Sequence, residues 1–587
     1  MLNEKYIKVL YIDLTAQKVR IEQREDLMPF LGGVGVASKL FLENMKSNSD
    51  YTDPDQPVVF AIGPGAFIYP VLTKTVAVFQ SPITGELGES YAGSRMAMAM
   101  LFAGYDALVI TGKAKKYSYV TISDTNILFR DARALWGLGV EEAGRILRDR
   151  EHFGGDAVGK RSILPIGPAG ENGVAFANVT VDSYRHFGRM GLGACLGSKN
   201  LKAIMVFGNR SVPVKNYGKY FKVYREIYGK CIDTDHMAKY HDAGTPINII
   251  PLNTSGGLPT KNMQSCTFEH AEAISGEAFA QKNLVRKMSC TGCPVGCIHI
   301  GMYRREFDKG HEYEAISVPY DYELIYALGT FIEVKTTDEI IALIQYVEDL
   351  GLDAMSAGVC LGWATEALER GYVTVDDTIV ELKWGDTDAY FEAIKYLATS
   401  KNEFYRILGK GTRFAAQKYG GEDFAMQLGG LEMAGYHTGY GALVGAAVAA
   451  RHSHLCNGGY SLDQKAAEFD EDEFADALFA EEYERCLTNC LVMCLFGRRI
   501  YDKKTILDAL NAIGYSFVEK DLATIGKRVL QVKTKIKKEL GYKQKAVKLP
   551  KRFFETPSMN GLLDEDISYR LIEKFMSRID ILMQEDF

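Results

Sequence analysis

The sequence predicts an α+β fold, with a β-rich domain at the N-terminus and two mostly helical domains after it. The first observation is a series of short β-branched and aromatic runs, bounded by Gly, Pro and Asp, that ends near Gly208. The second is a change to long segments with apolar residues at helical spacing. The third is the length of 587 residues, which exceeds what one hydrophobic core supports. We therefore expect three domains, at residues 1–212, 213–425 and 426–587.

Each element rests on its own segment. Strands are predicted where β-branched and aromatic residues lie between turn-forming residues, in segments 6–14, 57–63, 75–80, 106–112, 117–124 and 201–208. Helices are predicted where apolar residues recur every three or four positions, in segments 338–351, 388–398, 477–496 and 521–541.

Charge and hydropathy argue against nucleic-acid and membrane partners. A net charge of −7 and an isoelectric point near 5.9 leave no concentrated basic face of the kind that nucleic acids require. The basic stretch Lys533–Lys551 is interrupted by Glu and apolar residues, which favours a solvated helix face. The longest run of small apolar residues, Gly441–Ala450, is half the length of a membrane span, and the N-terminus lacks a signal-peptide hydrophobic region. We therefore expect a cytoplasmic protein without a membrane span.

The segment CTGCPVGC carries the strongest chemical signal of the chain. Eleven cysteines in a reducing compartment indicate metal binding or burial rather than disulfides. Zinc sites usually add a second pair of cysteines or histidines at a distance, and the sequence has none. Three closely spaced thiolates and one remote cysteine instead suit a cubane [4Fe–4S] cluster, with Cys290, Cys293 and Cys297 as ligands. Structural zinc and buried free thiols stay open as alternatives.

The fourth ligand should come from the segment CLTNCLVMC, which offers Cys486, Cys490 and Cys494. Their spacing of four residues puts all three on one face of a predicted helix. Periodicity therefore does not choose between them.

Several longer motifs resemble the aldehyde ferredoxin oxidoreductase family. They are IGPAGENGVAFANV, FGRMGLGACLGSKNLKAI, GTPINIIPLNTSGGLPTKN, EDLGLDAMSAG and LPKRFFETP, and the resemblance runs from about Leu31 to Thr556. It implies oxidation of an aldehyde to a carboxylic acid by a tungsten or molybdenum bis-pyranopterin, with Mg2+ bridging the pterin phosphates. It also implies that a [4Fe–4S] cluster passes the electrons to ferredoxin or to a polyferredoxin subunit.

The resemblance implies two pterin loops, Glu348–Asp353 and Asn489–Cys494. Glu348 and Asn489 stand where the family has Asp, and Val492 stands where it has Gly. The last residue of the second loop is the remote cluster ligand in the family, which selects Cys494. The implied pterin contacts are Glu348, Gly351, Leu352, Asp353, Asn489, Met493 and Leu495.

Further cofactor contacts are expected in the N-terminal domain. Glycine-rich turns offer backbone N–H groups to phosphates, and basic side chains add charge. By resemblance, the contacts are Lys74, Tyr91, Ala92, Gly93, Arg189, Gly191, Leu192 and Gly193, with Lys199 and Lys202 as additional cations. Lys74 stands where the family has arginine and Tyr91 where it has asparagine. The alternative for the glycine-rich stretch is a simple tight turn between strand and helix.

Oxidation of an aldehyde needs an acid–base group close to the metal. By resemblance, Glu323 in PYDYELIYALG takes this role, and AARHSHL offers His454 beside it with His452 behind. Glu323 as a surface helix residue and one histidine as structural remain alternatives. The segment KGHEYEA imitates the glutamate motif but lies too early, so we interpret it as a substrate-pocket or partner-facing loop.

The segment GYHTGYGALVGAAVAARHSHLCNGGYSLDQ is similar to a branch that includes benzoyl-coenzyme A reductase catalytic subunits and polyferredoxin-linked tungsten oxidoreductases. It implies a hetero-oligomer and adds His437, Arg451 and Tyr460 as pocket candidates. Low-potential reduction of an aromatic or other acyl-coenzyme A is therefore an alternative function. The lack of cysteine between Cys297 and Cys360 favours aldehyde chemistry, because those reductases use an extra cysteine ligand.

A third alternative is an iron–sulfur electron-transfer subunit without pterin, which the altered second loop favours. We expect a ferredoxin-type partner to dock on a basic rim beside the cysteine loop, at Lys282, Arg286 and Lys287. A solvated helix face is the other interpretation of the same residues.

Overall fold

The strands of the N-terminal region form two main sheets in a computed structural model that describes residues 5–151, 159–233, 235–307, 310–465, 469–542 and 547–586. They are β1 (Ile7–Asp13), β2 (Lys18–Arg24), β3 (Val58–Ala61), β4 (Thr75–Gln80), β5 (Leu87–Ala92), β6 (Ala107–Thr111), β7 (Ser118–Ile122), β8 (Ile127–Asp131), β9 (Arg161–Pro165), β10 (Val179–Val181), β11 (Arg185–Phe187) and β12 (Leu201–Phe207). The helices between them are α1 (Gly33–Asn44), α2 (Met96–Ala103), α3 (Val140–Arg150), α4 (Pro168–Glu171) and α5 (Leu192–Ser198).

The larger sheet has six strands in the order β2-β1-β6-β3-β4-β5, and the second has four in the order β8-β7-β12-β9. Strands β10 and β11 form a separate antiparallel pair. The central strands β3 and β4 consist entirely of buried residues, which explains their continuous apolar sequence. The six strand segments predicted from the sequence all coincide with strands.

The middle region is mostly helical. Its elements are α6 (Tyr217–Asp233), α7 (Asp235–Asp242), α8 (Ile249–Thr254), α9 (Gly276–Lys282), β13 (Leu284–Met288), β14 (Ile298–Glu306), β15 (Tyr313–Tyr320), α10 (Tyr322–Leu328), α11 (Thr337–Leu350), α12 (Ala354–Glu369), α13 (Val375–Thr378), α14 (Thr387–Ala398), α15 (Glu403–Leu408) and α16 (Thr412–Tyr419). Strands β13, β14 and β15 form an antiparallel sheet, and the cysteine loop lies between the first two.

The C-terminal region contains β16 (Gln427–Leu428), β17 (Leu431–Glu432), α17 (Tyr440–Val448), α18 (Glu471–Cys490), α19 (Lys503–Ala512), α20 (Glu519–Glu539), α21 (Arg552–Glu555) and α22 (Glu565–Leu582). Helix α18 packs against α20 and α22, and α1 of the N-terminal region packs against α18 and α20. Among the described residues, no helix has both the length and the apolar composition that a bilayer crossing requires.

One predicted helix was wrong at its end. The pattern predicts a helix to residue 496, but α18 stops at Cys490. Val492 has a φ of 51°, a left-handed conformation that right-handed helix excludes. The segment from Leu491 to Cys494 is therefore a loop, which changes the environment of the last cysteine.

The main hydrophobic core is continuous through all three regions, with Phe60, Trp363 and Leu571 among its members. A small second core, which includes Tyr119 and Leu147, lies under the four-stranded sheet. The predicted boundaries at residues 212 and 425 remain a prediction.

Two of the sequence motifs contact the same buried carboxylate, that of Glu366. Both nitrogens at the tip of Arg552, from LPKRFFETP, contact the carboxylate of Glu366, with Nη2 at 2.6 Å from Oε1. Asn262, from GLPTKN, donates from Nδ2 to the same carboxylate at 2.7 Å. Positive φ angles occur at three successive residues, Lys261, Asn262 and Met263. Such backbone strain persists only where the surrounding contacts hold it, and here the ion pair lies beside it.

Candidate functional site

The four predicted cluster cysteines lie in one place. Cys290, Cys293 and Cys297 are half-buried on the loop between β13 and β14, and the charge of each of the other three thiols acts on the pKa of Cys293. Burial, followed by these neighbours, raises that pKa. Gly296 turns the loop with a φ of 69°, and a Cβ there would stand 2.9 Å from Nδ1 of His241.

The donor set at this place consists of four thiols. Within the described ranges, no three His, Cys, Asp or Glu side chains are close enough to hold one metal ion. The ligands of a cubane bind four different irons and stand further apart than the ligands of one ion. The donor set of four convergent thiols therefore fits a [4Fe–4S] cluster.

The structure separates the three cysteines that the helical pattern left equivalent. Cys486 and Cys490 lie within α18 and are completely enclosed, Cys486 near Lys533 and Cys490 against α1. Cys494 lies beyond the end of α18, is half-buried, and donates its backbone N–H to the carbonyl of Val71 at 3.1 Å. Of the three candidates for the fourth ligand, only Cys494 has its thiol near those of the cysteine loop.

The two predicted pterin loops share a backbone shape. Gly351 ends α11 with a φ of 76°, and Val492 follows α18 with a φ of 51°. Val492 thus keeps a conformation that favours glycine, at the position where the sequence departs from the family pattern. Each loop also pairs with a segment of the N-terminal region: Asp353 donates its N–H to Phe176 O, and Lys74 donates its N–H to Val492 O.

The first loop ends in a carboxylate with several partners. Asp353 caps α12, accepting from the backbone N–H of Met355 at 3.1 Å and from the hydroxyl of Ser356 at 2.6 Å. Arg189 Nε donates to Asp353 Oδ2 at 3.2 Å, and Arg189 Nη2 donates to Glu432 O at 2.7 Å. Leu352 is buried and its carbonyl accepts from Nδ2 of Asn178 at 2.7 Å.

The glycine-rich stretch is built for close packing. A Cβ at Gly191 would stand 2.0 Å from Ala175 O, and one at Gly193 would stand 2.3 Å from Asn178 O. Leu192 between them is buried at the start of α5. Only glycine allows α5 to approach this segment so closely.

The two lysines that follow this stretch are already used by the fold. Lys199 Nζ donates to Pro54 O at 2.8 Å, and Lys202 Nζ pairs with the carboxylate of Glu171. Both ammonium groups are buried. The expectation that they provide free cations for phosphates is therefore wrong, whereas Arg189 stays beside the first loop.

The end of β5 approaches the cysteine loop. Ala92 is buried, and a Cβ at Gly93 would stand 2.5 Å from Sγ of Cys290. The Tyr91 hydroxyl donates to Glu89 Oε1 at 3.2 Å, so the phenol is held by the strand that carries it. The Tyr91 ring also lies 5.0 Å from the guanidinium of Arg451.

Arg185 is a site residue that the sequence analysis missed. Its Nε is buried and has no hydrogen-bond partner among the residues that the structure describes. Burial lowers the pKa of Arg185, but four nearby groups together raise it above its usual value, namely Cys290, Cys297, Asp321 and Cys494. Arg185 thus lies between the cysteines and the carboxyl groups of α10 and α11. The sequence feature that could have identified Arg185 is its position two residues before the FGRMGLG motif.

His186 and Glu348 face each other beside Arg185. His186 Nε2 lies 3.8 Å from Glu348 Oε1. Burial and then the charge of Arg185 lower the pKa of His186 to about 3. Burial and then Asp321 raise the pKa of Glu348 well above its usual range. His186 is therefore neutral near pH 7, and burial favours the uncharged form of Glu348.

Glu323 and His454 meet as the sequence analysis expects. Asp321 caps α10 by accepting the N–H of Glu323 at 3.1 Å, which fixes Glu323 in the first turn. Glu323 Oε1 lies 3.3 Å from His454 Nε2. Burial and then Asp321 raise the pKa of Glu323 to about 7, although the Gly435 N–H, among other groups, opposes the rise. Burial and then Arg189 lower the pKa of His454 to about 3.

His452 lies in a different environment, two residues earlier. Its Nδ1 is 2.9 Å from Ala447 O and its Nε2 is 3.2 Å from Glu86 Oε2. Lys537 Nζ lies 3.1 Å from the same carboxylate oxygen. The structure therefore brings His454, but not His452, to Glu323.

Several buried polar atoms at the site have no partner among the described residues: Arg185 Nε, His186 Nε2, Glu323 Oε1, His454 Nδ1 and Asn489 Nδ2. Unpaired buried groups are costly, so their concentration here indicates a polar group that the chain itself does not supply. They come from β11, α10, the loop before α18 and the end of α18. Met493 and Leu495 border this position on the second loop, the former buried and the latter half-buried. These residues fit a pterin cofactor rich in donors and acceptors.

The chain matches two models of one protein family. Residues 9–208 match the N-terminal domain of aldehyde ferredoxin oxidoreductase, and residues 222–578 match its domains 2 and 3. Tungsten-containing aldehyde ferredoxin oxidoreductases of Pyrococcus furiosus and Thermococcus kodakarensis are each 31% identical, over 94% of this chain and 92% of theirs. An aliphatic sulfonate oxidoreductase, WOR-like subunit, of Pyrococcus furiosus is 31% identical over 70% of this chain and 67% of its own.

A solved structure shares the whole architecture. The active-site complex BamBC of benzoyl coenzyme A reductase, in complex with 1,5 dienoyl-CoA, aligns with a TM-score of 0.80 and 19% identity. The alignment covers 98% of this chain and 94% of that chain. At this identity the likeness concerns the fold, and it confirms the predicted α+β class.

Proposed function

Because the chain belongs to the aldehyde ferredoxin oxidoreductase family and is an oxidoreductase, we propose that it oxidises an aldehyde to the corresponding carboxylic acid. The reaction consumes the aldehyde and one water and yields the acid, two protons and two electrons. The two aldehyde ferredoxin oxidoreductases named above are tungsten-containing, so we assign this chain a tungsten or molybdenum bis-pyranopterin with Mg2+ between its phosphates. When bound, this group supplies the two-electron oxidation.

The Glu323–His454 pair is the observation that carries the proposal. Glu323 has a pKa of about 7, so it takes up and releases a proton near neutral pH, as a general acid–base group must. Among the described residues, His454 Nδ1 has no hydrogen-bond partner, and Glu323 Oε1 accepts no hydrogen bond although His454 Nε2 is 3.3 Å away, which leaves both atoms available to a substrate. His454 is neutral near pH 7 because its pKa is about 3, so it orients the carboxyl group without adding a charge.

Arg185 and Asp321 connect this pair with the cysteines. The charge of Asp321 raises the pKa of Glu323, and the charge of Arg185 lowers the pKa of Asp321. Arg185 also interacts electrostatically with three of the four thiols. A cation beside a cluster with thiolate ligands offsets part of their negative charge. We propose that Arg185 holds this balance at a [4Fe–4S] cluster bound by Cys290, Cys293, Cys297 and Cys494.

Metal content of the anaerobically purified protein is the first test. We expect one tungsten or molybdenum and four irons per chain, together with oxidation of aldehydes by a viologen dye. Protein with four irons and neither tungsten nor molybdenum would support the electron-transfer subunit without pterin. Reduction of an acyl-coenzyme A with no aldehyde oxidation would support the reductase alternative.

The cluster assignment has a matched pair of variants. Cys494→Ala should lose the four-iron cluster, because its thiol is among the other three. Cys490→Ala should keep it, because that thiol is enclosed against α1. Iron analysis and the visible absorption of the cluster measure both. The opposite result would show that the alignment of the second loop with the family motif is wrong by one helical turn.

We propose a ferredoxin-type partner on the exposed side of the cysteine loop. The exposed strand β13 carries Arg286 and Lys287, and Lys287 Nζ is 4.0 Å from Asp242 Oδ1. The double variant Arg286→Glu/Lys287→Glu should slow electron delivery to ferredoxin at low salt and leave dye-linked turnover unchanged. Equal losses with both acceptors would show that these residues serve folding or the cluster.

A further inference from the structure

Helix α6 carries large apolar side chains on two of its faces. One row faces the body of the protein and is buried, and it includes Val223, Ile227 and Cys231. The other row is 39 to 64% exposed and recurs at helical spacing, at Tyr217, Phe221, Tyr228 and Ile232. Surface helices normally present polar or charged residues on the outer side, because apolar area exposed to water is unfavourable. We call these four exposed residues the outer face of α6.

The rings on this side of α6 are ordered by stacking. Tyr217 and Phe221 have ring centres 5.8 Å apart and planes at 11°. Tyr224 and Tyr228 have ring centres 6.0 Å apart and planes at 20°. Tyr and Phe are enriched in the cores of protein interfaces, since they bury a large area for few rotatable bonds. An exposed patch of this kind is typical of a surface that another protein covers.

Segment 66–72 contacts the inner side of α6. The Tyr220 hydroxyl donates to Ile68 O at 2.7 Å, and the Tyr220 ring lies 5.2 Å from that of Tyr69. The Tyr69 hydroxyl donates in turn to Ala509 O at 3.1 Å, on α19, which packs against α6. Two hydrogen bonds and a ring contact therefore hold α6 in place on this segment.

The same segment contacts both cysteine-bearing parts of the proposed cluster site. Cys494 donates its backbone N–H to Val71 O at 3.1 Å. On the cysteine loop, a Cβ at Gly292 would stand 3.1 Å from Phe67 O, so the two backbones pass close to each other. Segment 66–72 is thus in direct contact with α6, with the cysteine loop and with Cys494. The outer face and the proposed cluster are therefore separated by α6 itself and this one segment.

The charge of α6 indicates what kind of protein covers it. In a chain whose net charge is −7, this helix carries four basic and two acidic side chains, namely Lys219, Lys222, Arg225, Lys230, Glu226 and Asp233. Lys222 and Arg225 are exposed, and Lys230 Nζ donates to a neutral hydroxyl, that of Thr505, at 2.9 Å. A second copy of the chain, docked symmetrically, would set this basic helix against itself. The charge instead favours an acidic partner.

Helix α7 connects the outer face with the basic rim on β13. It follows α6 in the chain, and Nδ1 of its His241 lies 3.0 Å from Val295 O of the cysteine loop. Its last residue, Asp242, lies 4.0 Å from Nζ of Lys287. Helices α6 and α7, the cysteine loop and β13 therefore adjoin one another, so one partner can contact the outer face and the basic rim together.

We propose that the outer face of α6 is the main contact of the acidic iron–sulfur protein that takes up the electrons, and that the basic rim lies at the margin of the same interface. This inference rests on the proposed function. Each transfer oxidises the cluster of this chain by one electron and reduces one cluster of the partner by one, so two transfers complete the oxidation of one aldehyde. The rings supply affinity through burial, whereas the basic residues raise the rate of encounter.

Ferredoxin kinetics of a variant of the outer face test the proposal. The probe is a purified acidic ferredoxin with two [4Fe–4S] clusters, and the substrate is acetaldehyde or benzaldehyde. Tyr217→Ser/Phe221→Ser should raise KM for ferredoxin at least tenfold, because aromatic side chains at the centre of an interface carry most of its binding energy. Viologen-linked turnover, iron content and melting temperature should stay unchanged, since both side chains are exposed.

Two further variants separate apolar from electrostatic contributions. Val19→Ser/Ile21→Ser removes two side chains on strand β2 that are 43 and 48% exposed, and this matched control should keep the ferredoxin kinetics of wild type. At about 1 M salt, where the Debye length is about 3 Å, Arg286→Glu/Lys287→Glu should no longer differ from wild type. The defect of Tyr217→Ser/Phe221→Ser should persist there, because the burial of apolar area does not depend on charge.

An unchanged KM for ferredoxin in Tyr217→Ser/Phe221→Ser would overturn the proposal and leave the basic rim as the docking site. A wild-type dimer that this variant converts into a monomer, without a change in ferredoxin kinetics, would assign the outer face to a second copy of the chain and would also overturn it. Failure to oxidise any aldehyde would overturn the proposed function. Calorimetric binding of ferredoxin would then decide the docking surface alone, and at least tenfold weaker binding by the variant would support it.

Discussion

Two glutamate–histidine pairs differ in chemistry although their distances are nearly equal. Glu86 Oε2 is 3.2 Å from His452 Nε2, and Glu323 Oε1 is 3.3 Å from His454 Nε2. Burial raises the pKa of both carboxyl groups, but Lys537 and His452 bring that of Glu86 down to about 2. Near Glu323 the next contribution is Asp321, and the pKa rises to about 7. The surrounding charges therefore decide which carboxyl group exchanges a proton at neutral pH.

Hydrogen bonding separates the pairs in the same way. Both ring nitrogens of His452 have partners. Among the described residues, Nδ1 of His454 has no hydrogen-bond partner, and Oε1 of Glu323 accepts no hydrogen bond although it lies close to His454 Nε2. A satisfied buried pair stabilises one conformation, and an unsatisfied one costs stability that function must justify. The difference favours a structural role for the first pair and supports the proposed catalytic role of the second.

The largest expected effect comes from Glu323→Gln. Loss of a positioned proton-transfer group should lower turnover by roughly two to four decades. Metal and iron content should stay unchanged, and dye-linked kinetics measure the rate. Glu86→Gln is the matched control and should stay within about threefold of wild type, because its carboxyl group does not titrate near pH 7. A Glu323→Gln enzyme that is equally active would assign the glutamate to structure.

The second effect is on stability. Glu86→Gln leaves the buried ammonium of Lys537 without its carboxylate and should lower the free energy of unfolding by about 3 kcal/mol. Chemical denaturation measures this loss. The double variant Glu86→Gln/Lys537→Met should recover part of it, because no unpaired charge remains. Equal stability of the single and double variants would contradict an ion pair at this position.

The third effect is a pH dependence of opposite sign in the two pairs. Glu323 has a folded-state pKa above the usual value of 4.5 for a glutamate, so its stabilising contribution is complete below pH 4.5 and is lost as the pH rises through about 7. Glu86 has a lowered pKa, so its contribution is present above pH 4.5 and is lost as the pH falls toward about 2. Each slope is at most about 1.4 kcal/mol per pH unit. Denaturation midpoints of wild type and each Gln variant, compared from pH 3.5 to 8, should diverge in opposite directions.

The smallest effect is expected for Tyr436→Phe. The Tyr436 hydroxyl lowers the pKa of Glu323 by hydrogen bonding, so its removal should raise that pKa by less than about one unit. The pH–rate profile should shift to higher pH by the same amount. A shift to lower pH would mean that Tyr436 does not stabilise the carboxylate.

Local patterns predicted much of this molecule. The strand segments and the three clustered cysteines follow from short stretches whose chemistry depends on neighbours in sequence, whereas Glu323 was selected by the family resemblance. The fourth cysteine did not follow from a local pattern, because helical spacing continues past Cys490 while the backbone turns at Val492. Only the resemblance selected Cys494.

Contacts between segments that are distant in the chain could not be predicted from the sequence. Glu86 lies between β4 and β5 and Lys537 lies on α20, so no local pattern places the two beside His452. The motif suggested that Lys202 is a free cation, but in the structure its ammonium group forms an ion pair with Glu171. Charge in a motif thus indicates that a partner is needed, and the fold decides whether that partner is a ligand or another side chain.

The separation of Cys494 from the other three cluster cysteines has a consequence for how the enzyme matures. The cysteine loop lies within one sheet, whereas Cys494 follows α18, which packs on α1 and α20. During synthesis, the first three thiols leave the ribosome long before the fourth. The proposed cluster would therefore gain its last ligand only once most of the chain, up to Cys494, has been synthesised.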